Sequence, residues 1–459
     1  MKEKILEVLK NNTDILSRTI NKDNHTIDII YCETLSNSSD IEKYIIKPIV
    51  LSKNIYNLEC VITSATLNIK NFNDAISDIF LGFTVIIFDN NKIYTVETKA
   101  LLDRSIKESD VESSLTGPKD SFIENFNINI GLVRKRIRNK NLSLETEVLG
   151  TESNTKIGIL YMSNLIDKKL LSNVKEKISN IKNDIIIDGG YIKEELSKKS
   201  FFPEINETER PDLATFALLE GKICLVIDNS PTVLIIPTFF IDFFHTPDDY
   251  YQKNINTTFI RLLRITAFII AIFLPGYYIS ITTYNPTSLP TSLLLNIINQ
   301  HKSVPFPAFF EILIMIVAFE ILRESDVRIP SKVGSSASIL GGLILGEAAV
   351  SAGIISPIMI IVVAISSISA LVFPYNSIIN LIRYYRFLAI FLSVLFGLFG
   401  LFISISLLII NISCVTSFGY PYTYPFVPLI KNELLDSLIK VNKKKERNPL
   451  LTKKRKRIW

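Results

Sequence analysis

The sequence predicts an α/β N-terminal region of two subdomains followed by an α-helical polytopic membrane domain. Three observations carry this. Residues 1–255 are charge-rich and alternate β-prone runs with helical ones, whereas residues 256–430 are mostly apolar. The overall 48% hydrophobic and 21% charged residues therefore average two unlike halves, and the mean hydropathy of +0.30 agrees. Several apolar runs in the second half are also long enough to cross a bilayer. The expected division is 1–105 and 106–255 for the two α/β subdomains, 256–430 for the membrane domain and 431–459 for a basic tail.

The first subdomain opens with a short amphipathic helix, Met1–Leu9, with no secretory apolar core, so the N-terminal region is expected to stay in the cytosol. Thr26–Tyr31 alternates like a strand, and Ser39–Lys47 has helical character. Ile79–Phe88 is an apolar run too short to span as a helix. It meets KIYTVET across an Asp/Asn turn, which predicts a hairpin. In the second subdomain, Thr116–Lys119 reads as a loop. Phe122–Lys140 reads as a helix whose basic end, RKRIRNK, is either a solvated terminus or a contact for anionic headgroups or a partner. Strands are expected at Lys156–Met162, Asp184–Asp188, Lys222–Ile227 and Thr232–Pro237. Helices are expected at Leu170–Ile181 and Ile192–Lys198.

Some chemistries are absent from the sequence. Four cysteines, Cys32, Cys60, Cys224 and Cys414, lack metal or redox spacing. Three histidines, His25, His245 and His301, do not cluster. No dinucleotide glycine loop, phosphate loop or nucleophile elbow occurs. No cofactor, no metal and no nucleic acid are expected, and the chain does not read as an enzyme. Phe239–Tyr251, dense in aromatics and acids, reads as the shoulder between soluble region and bilayer, with His245 there as a structural aromatic.

Five apolar segments follow: Leu262–Tyr284, Phe306–Leu322, Ala337–Val350, Ile354–Pro374 and Phe387–Ile412. Lysines and arginines in the connecting loops, among them Arg261, Arg264, Arg383 and Arg386, place the N-terminal region inside. Five crossings would leave the tail outside. Yet Lys443–Arg457 carries nine Lys/Arg against one Glu, which belongs near anionic headgroups inside. Either one short segment is re-entrant, or Val415–Ile430 returns through a protein-lined space. Ionisable groups at bilayer depth mark functional candidates. Glu311, Glu320 and Glu347 lie within apolar segments. Glu320, Arg323, Glu324 and Arg328 have helical i,i+3 and i,i+4 spacing, and Pro330 should end their helix. They form either an ion-pair cluster pinning a helix end or the lining of a hydrophilic path or gate. Glu347 is either neutral hydrogen-bonded glue or part of an acid ring built by several copies.

Thr208-Glu209-Arg210-Pro211-Asp212 resembles the TERPD motif of the GerA family of spore germination proteins, A-subunit type. The resemblance runs from about residue 25 to 435. It continues through Glu220-Gly221-Lys222, Asp228–Pro231, Pro247–Tyr251, Val304–Pro307 with Glu311, Leu322-Arg323-Glu324 with Arg328, and Leu345–Val350. Upstream it takes in Thr116–Pro118 and Leu132–Ile137. Lys119 and Lys222 stand where the family has arginine, and Glu347 where it has glutamine. The resemblance implies a multi-pass subunit of a nutrient germinant receptor in the inner spore membrane. Its partners would be further copies of itself, a transporter-like B subunit that binds the nutrient, a C lipoprotein, and membrane lipids. The A subunit would oligomerise and conduct ions. A scaffold that only assembles partners and a secondary transporter are the rival readings. The TERPD charges could form a site, or an ion pair that stabilises a hairpin.

Overall fold

The computed structural model describes residues 1–23, 25–52, 55, 58–62, 66–89, 91–100, 117–197, 200–302, 304–328, 342, 345–427, 429, 437 and 439–440. The first α/β unit runs α1 (Lys2–Val8), β1 (Ile15–Lys22), β2 (His25–Cys32), α2 (Ser38–Ile41), α3 (Lys47–Leu51), α4 (Leu58–Val61), β3 (Asn68–Ile69), α5 (Phe72–Ile79), β4 (Phe83–Phe88) and β5 (Lys92–Glu97). A π turn, Glu42–Ile46, joins α2 to α3. The second unit runs α6 (Phe126–Arg136), β6 (Leu142–Leu149), β7 (Thr155–Met162), α7 (Lys168–Ser179), α8 (Gly189–Leu196), β8 (Asn206–Thr208), α9 (Pro211–Leu219), β9 (Ile223–Ile227) and β10 (Val233–Ile236).

These two lists describe one arrangement used twice. The strand orders are β1-β2-β4-β5-β3 and β6-β7-β9-β10-β8, antiparallel throughout. In each unit the helices before the first and fourth strands cover one face, α1 and α5 or α6 and α9. The helices after the second strand cover the other. Side chains at successive strand positions point to opposite faces, so both faces need apolar residues, and β4 and β9 are accordingly apolar almost throughout. The sequence carries the duplication too. Ile27–Cys32, Leu35 and the helix-capping Asn37 align with Ile157–Met162, Leu165 and the helix-capping Asp167, each cap accepting from a backbone N–H two residues on at 3.0 Å. Gly82 and Gly221, both at φ +85°, stand seven residues before Asp89 and Asp228 at the hairpin turns.

The sequence-based expectations need several corrections. Strand β1 was not expected. The run Ile79–Phe88 is divided: Ile79 closes α5 and β4 begins at Phe83. Asp184–Asp188 forms no strand, because Asp188 caps α8 instead. The basic end of the 122–140 helix is not simply solvated. Arg134 is fully buried and grips Asp14 of the other unit through Nε and Nη2, each at 2.7 Å, while Nη2 also donates to Asn12 at 2.9 Å. Thr34 donates to the same carboxylate at 2.8 Å. Burial first, and then the Asp14 charge, push the neighbouring Cys32 thiol up to about 12. Thr13 N–H donates to Leu144 O at 3.0 Å, so the chain entering β1 also joins the second sheet.

The helical half comprises α10 (Asp248–Tyr251), α11 (Asn254–Ile279), α12 (Thr291–Lys302), α13 (Ala308–Arg328), α14 (Pro357–Ala370), α15 (Asn376–Phe396) and α16 (Leu398–Cys414). Among the described residues two helices, 254–284 and 376–396, are long and apolar enough to cross a membrane, with 357–370 and 398–414 shorter. The run Phe387–Ile412 is not one helix. Gly397, at φ +59°, turns α15 back into α16, and a Cβ there would lie 2.9 Å from the Tyr284 ring. A Cβ on Gly400 would sit 1.9 Å from Leu392 O, so the two helices meet backbone to backbone there. One end of the bundle abuts the sheets: Phe373 packs on Phe244, and Tyr375 on Phe243. At the opposite end Ile279, Ile312, Ile355 and Met359 cluster.

After α16 the described residues 415–427 lie beside the sheet region and form no further helix. Their short hairpin, β11 (Thr416–Ser417) and β12 (Tyr420–Pro421), lies on the sheet region. Ser417 Oγ donates to Glu204 O at 2.9 Å, and Tyr420 Oη to Asp167 at 2.9 Å. The glycines 334 and 341, the proline at 330 and residues 441–459 lie outside the described residues.

Breaking a buried ion pair strands a charge and costs about 3–5 kcal/mol, whereas replacing both members by apolar residues costs far less. Asp14→Ala and Arg134→Ala are each expected to destabilise the chain by that amount, and Asp14→Leu with Arg134→Met by less than either. Urea unfolding of the purified variants checks this. Additive losses in the double variant would contradict it.

Candidate functional site

Two charged networks occupy the places that the sequence singles out. The first is the shoulder. Pro211 opens α9, with its fixed φ suited to the first helical position. This holds Asp212 in the first turn, and Arg210 folds back onto it through two bonds, Nε at 3.0 Å and Nη2 at 2.7 Å. Arg210 Nη2 also donates to Pro118 O at 3.1 Å, and Tyr251 Oη donates to Asp212 at 2.8 Å. Thr208 Oγ1 accepts from Arg210 N–H at 3.0 Å, and Glu209 O from Phe122 N–H at 2.7 Å. The motif is thus a buried bracket that ties β8, α9 and the 117–122 segment to α10, not a clamp on the β9–β10 turn. Burial opposes ionisation of Asp212, but Arg210 more than offsets it and holds the carboxyl below its usual range. Lys222, nearby, pairs with Asp242 at 2.7 Å.

Asp249 is the centre of the shoulder. It is 2% exposed and meets Arg264 at 2.8 Å and Arg261 at 3.1 Å, both from the first turns of α11. Burial raises its pKa, but the bonds and charge of Arg264, then Arg261, win and leave it lowered. Both of these flank arginines are buried. Lys440 adds a third cation, donating to Asp249 O at 2.5 Å and Gln252 O at 2.6 Å. His245 Nε2 meets Ser437 O at 2.8 Å. Ser437 and Lys440 of the tail are therefore bound to the shoulder.

The second network lies in the bundle. Glu311 is fully buried, accepts from Ser356 N–H at 2.8 Å and meets His301 Nδ1 at 3.0 Å. Glu320 finds its ion-pair partners across helices rather than along its own: Arg383 at 2.8 Å and Arg386 at 4.0 Å, both from α15. Arg386, 3% exposed, further donates to Ala271 O at 2.7 Å and Ser366 O at 3.2 Å. It thus links α11, α13, α14 and α15. Sequence reasoning counted Arg386 only as a loop charge. The signal was its place among apolar residues three after Arg383. Arg323 is half-buried and Glu324 exposed, while the Arg328 side chain lies outside the described residues. Glu347 is exposed and takes no hydrogen bond or ion pair among the described residues. No group of three metal-binding side chains occurs among them.

Burial, followed by the Arg261 charge, pushes the His245 imidazole down to about 4, from about 6.5 when free. The folded state therefore binds its proton less tightly than the unfolded state. The contribution is complete above about 6.5 and is lost as pH falls towards 4. Thermal midpoints are expected to fall across that window and to fall less in His245→Gln. An unchanged pH slope in the variant would contradict this.

The family described as Bacillus/Clostridium GerA spore germination protein matches residues 3–450. Spore germination protein KA of Bacillus subtilis (strain 168) is 35% identical over 444 residues, 94% of this chain and 82% of that one. Spore germination protein XA of Bacillus anthracis is 33% identical over 428 residues, 91% and 87% respectively. The crystal structure of the N-terminal domain of the A subunit of the Bacillus megaterium spore germinant receptor GerK3 is 25% identical. It covers 52% of this chain and 94% of that one, with a TM-score of 0.40. The chain belongs to the GerA family of spore germination proteins.

Proposed function

We propose that the chain is the A subunit of a nutrient germinant receptor and that it oligomerises in the inner spore membrane. It turns nutrient binding by a B-type partner into ion release, with a C-type lipoprotein completing the complex. The N-terminal α/β units face the cytosol. The chain crosses six times, by α11, α13, α14, α15 and α16, and once between α13 and α14, because the described start of α14 lies at the end of the bundle away from the shoulder. The turn at Gly397 supplies the even count that the basic tail requires, and the contacts of Ser437 and Lys440 with the shoulder support it. The tail then meets anionic lipid on the cytosolic side.

The observation that carries the conducting role is Glu347. A carboxylate facing hydrocarbon is expensive, yet Glu347 is exposed on the helical 345–350 stretch, beside Gly346, which packs near Ile360 of α14. Enclosure by neighbouring copies would make it a ring of acids in an aqueous lumen, suited to cations. Glu311 and Glu320, already paired within the chain, then hold the bundle together, and Arg323, Glu324 and Arg328 lie at its cytosolic mouth. The intrachain pairing of Glu311 and Glu320 is also what favours the scaffold reading, in which the bundle only anchors.

Spores carrying Glu347→Lys are expected to lose most nutrient-triggered cation release at normal protein level, and Glu347→Gln to release cations more slowly. Normal release in Glu347→Lys would leave the scaffold as the better reading. Cysteines placed at Ser288 and at Lys453 should label from opposite sides of the membrane; labelling from one side would refute the six-crossing path.

A further inference from the structure

The duplicated units can be compared position by position. On β6, Glu145 faces Ile159, and Tyr161 lies two residues further along the same face of β7. Tyr161 Oη donates to Glu145 at 2.5 Å, and Lys175 of α7 pairs with the other carboxylate oxygen. The second unit thus fills the space between its sheet and α7 with its own carboxylate.

In the first unit the register is the same, with Arg18 facing Ile29 and Tyr31 two residues on. A guanidinium replaces the carboxylate. Neither Arg18 nor the Tyr31 hydroxyl takes a hydrogen bond or ion pair among the described residues. The two line an open cleft of about 500 Å³, walled by Ile41, Ile46, Val50 and Leu51, a size ordinary for small-molecule sites. The wall is fixed, because Lys22 Nζ donates to Ile49 O at 3.0 Å, to Val50 O at 2.7 Å and to Ser52 O at the end of α3. At the rim Glu42 and Lys47 pair at 3.0 Å, which leaves the net charge of the cleft to Arg18.

We propose that this cleft binds a small monocarboxylate with a branched aliphatic body. Its carboxylate bridges the Arg18 guanidinium and the Tyr31 hydroxyl, and its hydrocarbon lies against the four aliphatic side chains. The second unit supplies that carboxylate from Glu145, whereas the first takes it from solution. Arginine suits the role because its planar donors match a carboxylate.

Isovalerate and its neutral isostere isovaleramide serve as probes, titrated calorimetrically against the full chain in lipid nanodiscs. Saturable isovalerate binding is expected in the micromolar to millimolar range. The amide should bind at least about tenfold more weakly. Arg18→Glu, which installs the residue of the second unit at an exposed position, should abolish isovalerate binding without lowering the thermal midpoint. No saturable isovalerate binding, equal binding of the amide, or undiminished binding by Arg18→Glu would each overturn the proposal. No ion flux enters the measurement, so its outcome is independent of the role of Glu347.

Discussion

The carboxylate of Asp249 is the joint on which the two halves of the molecule meet. It is buried with two guanidinium groups from α11, while a lysine from the tail caps the carbonyls beside it. Moving such ions out of water costs several kcal/mol each, and their attraction repays this only if every group is satisfied. That constraint fixes geometry. Arg264 spends its remaining donors on Phe244 O at 2.9 Å and Thr246 Oγ1 at 2.7 Å, so α11 leaves the sheet region from a set position. The orientation of the bundle follows from that departure, because α14 and α15 both pack along α11.

Charge pairing recurs at three other buried arginines among the described residues. Arg134 closes on Asp14 between the α/β units, Arg210 on Asp212 at the head of α9, and Arg386 on Glu320 and two carbonyls in the bundle. Each arginine comes from one element and is answered by another, or by a turn that aims at another. Apolar packing would hold these elements together without fixing register. Forked donors meeting planar acceptors admit few arrangements. The buried arginines therefore set how sheet, shoulder and helices are placed, and the aromatic cluster of Phe240, Phe244, Phe268 and Phe373 fills the space that remains.

Much of this was legible in the residues, in an uneven way. The hairpin β4–β5, the strands β7, β9 and β10 and the shoulder follow from local pattern, since turn chemistry and alternation act over a few residues. Strand β1 was missed because ILSRTINK carries polar residues where the cleft and solvent face it. The duplication was written in Ile27–Asn37 against Ile157–Asp167 and in the two glycine-to-aspartate spacings, but the offset drifts by nine residues between these blocks, which hides it from a fixed-period search. Partners of buried ions were not legible: helical spacing offers Arg323 and Glu324 to Glu320, yet α15 supplies the ion pairs, and spacing within one helix carries no information about another. The Gly397 turn was hidden in an unbroken apolar run, where hydropathy reports burial but not direction.

Gly397 decides how the tail is read. An unbroken helix over Phe387–Ile412 would end far from where it began, and a strongly basic tail would then sit opposite the α/β units. The glycine turn makes two antiparallel helices of it, and Gly400 against Leu392 lets them lie at close range. Both ends of the hairpin then face the shoulder: Tyr375 packs on Phe243, and Tyr422 O accepts from Phe240 N–H at 2.9 Å. With the tail returned, Lys440 can reach the carbonyls of Asp249 and Gln252. On the six-crossing path proposed above, loop charges and tail charge agree, because the run Phe387–Ile412 is two helices rather than one.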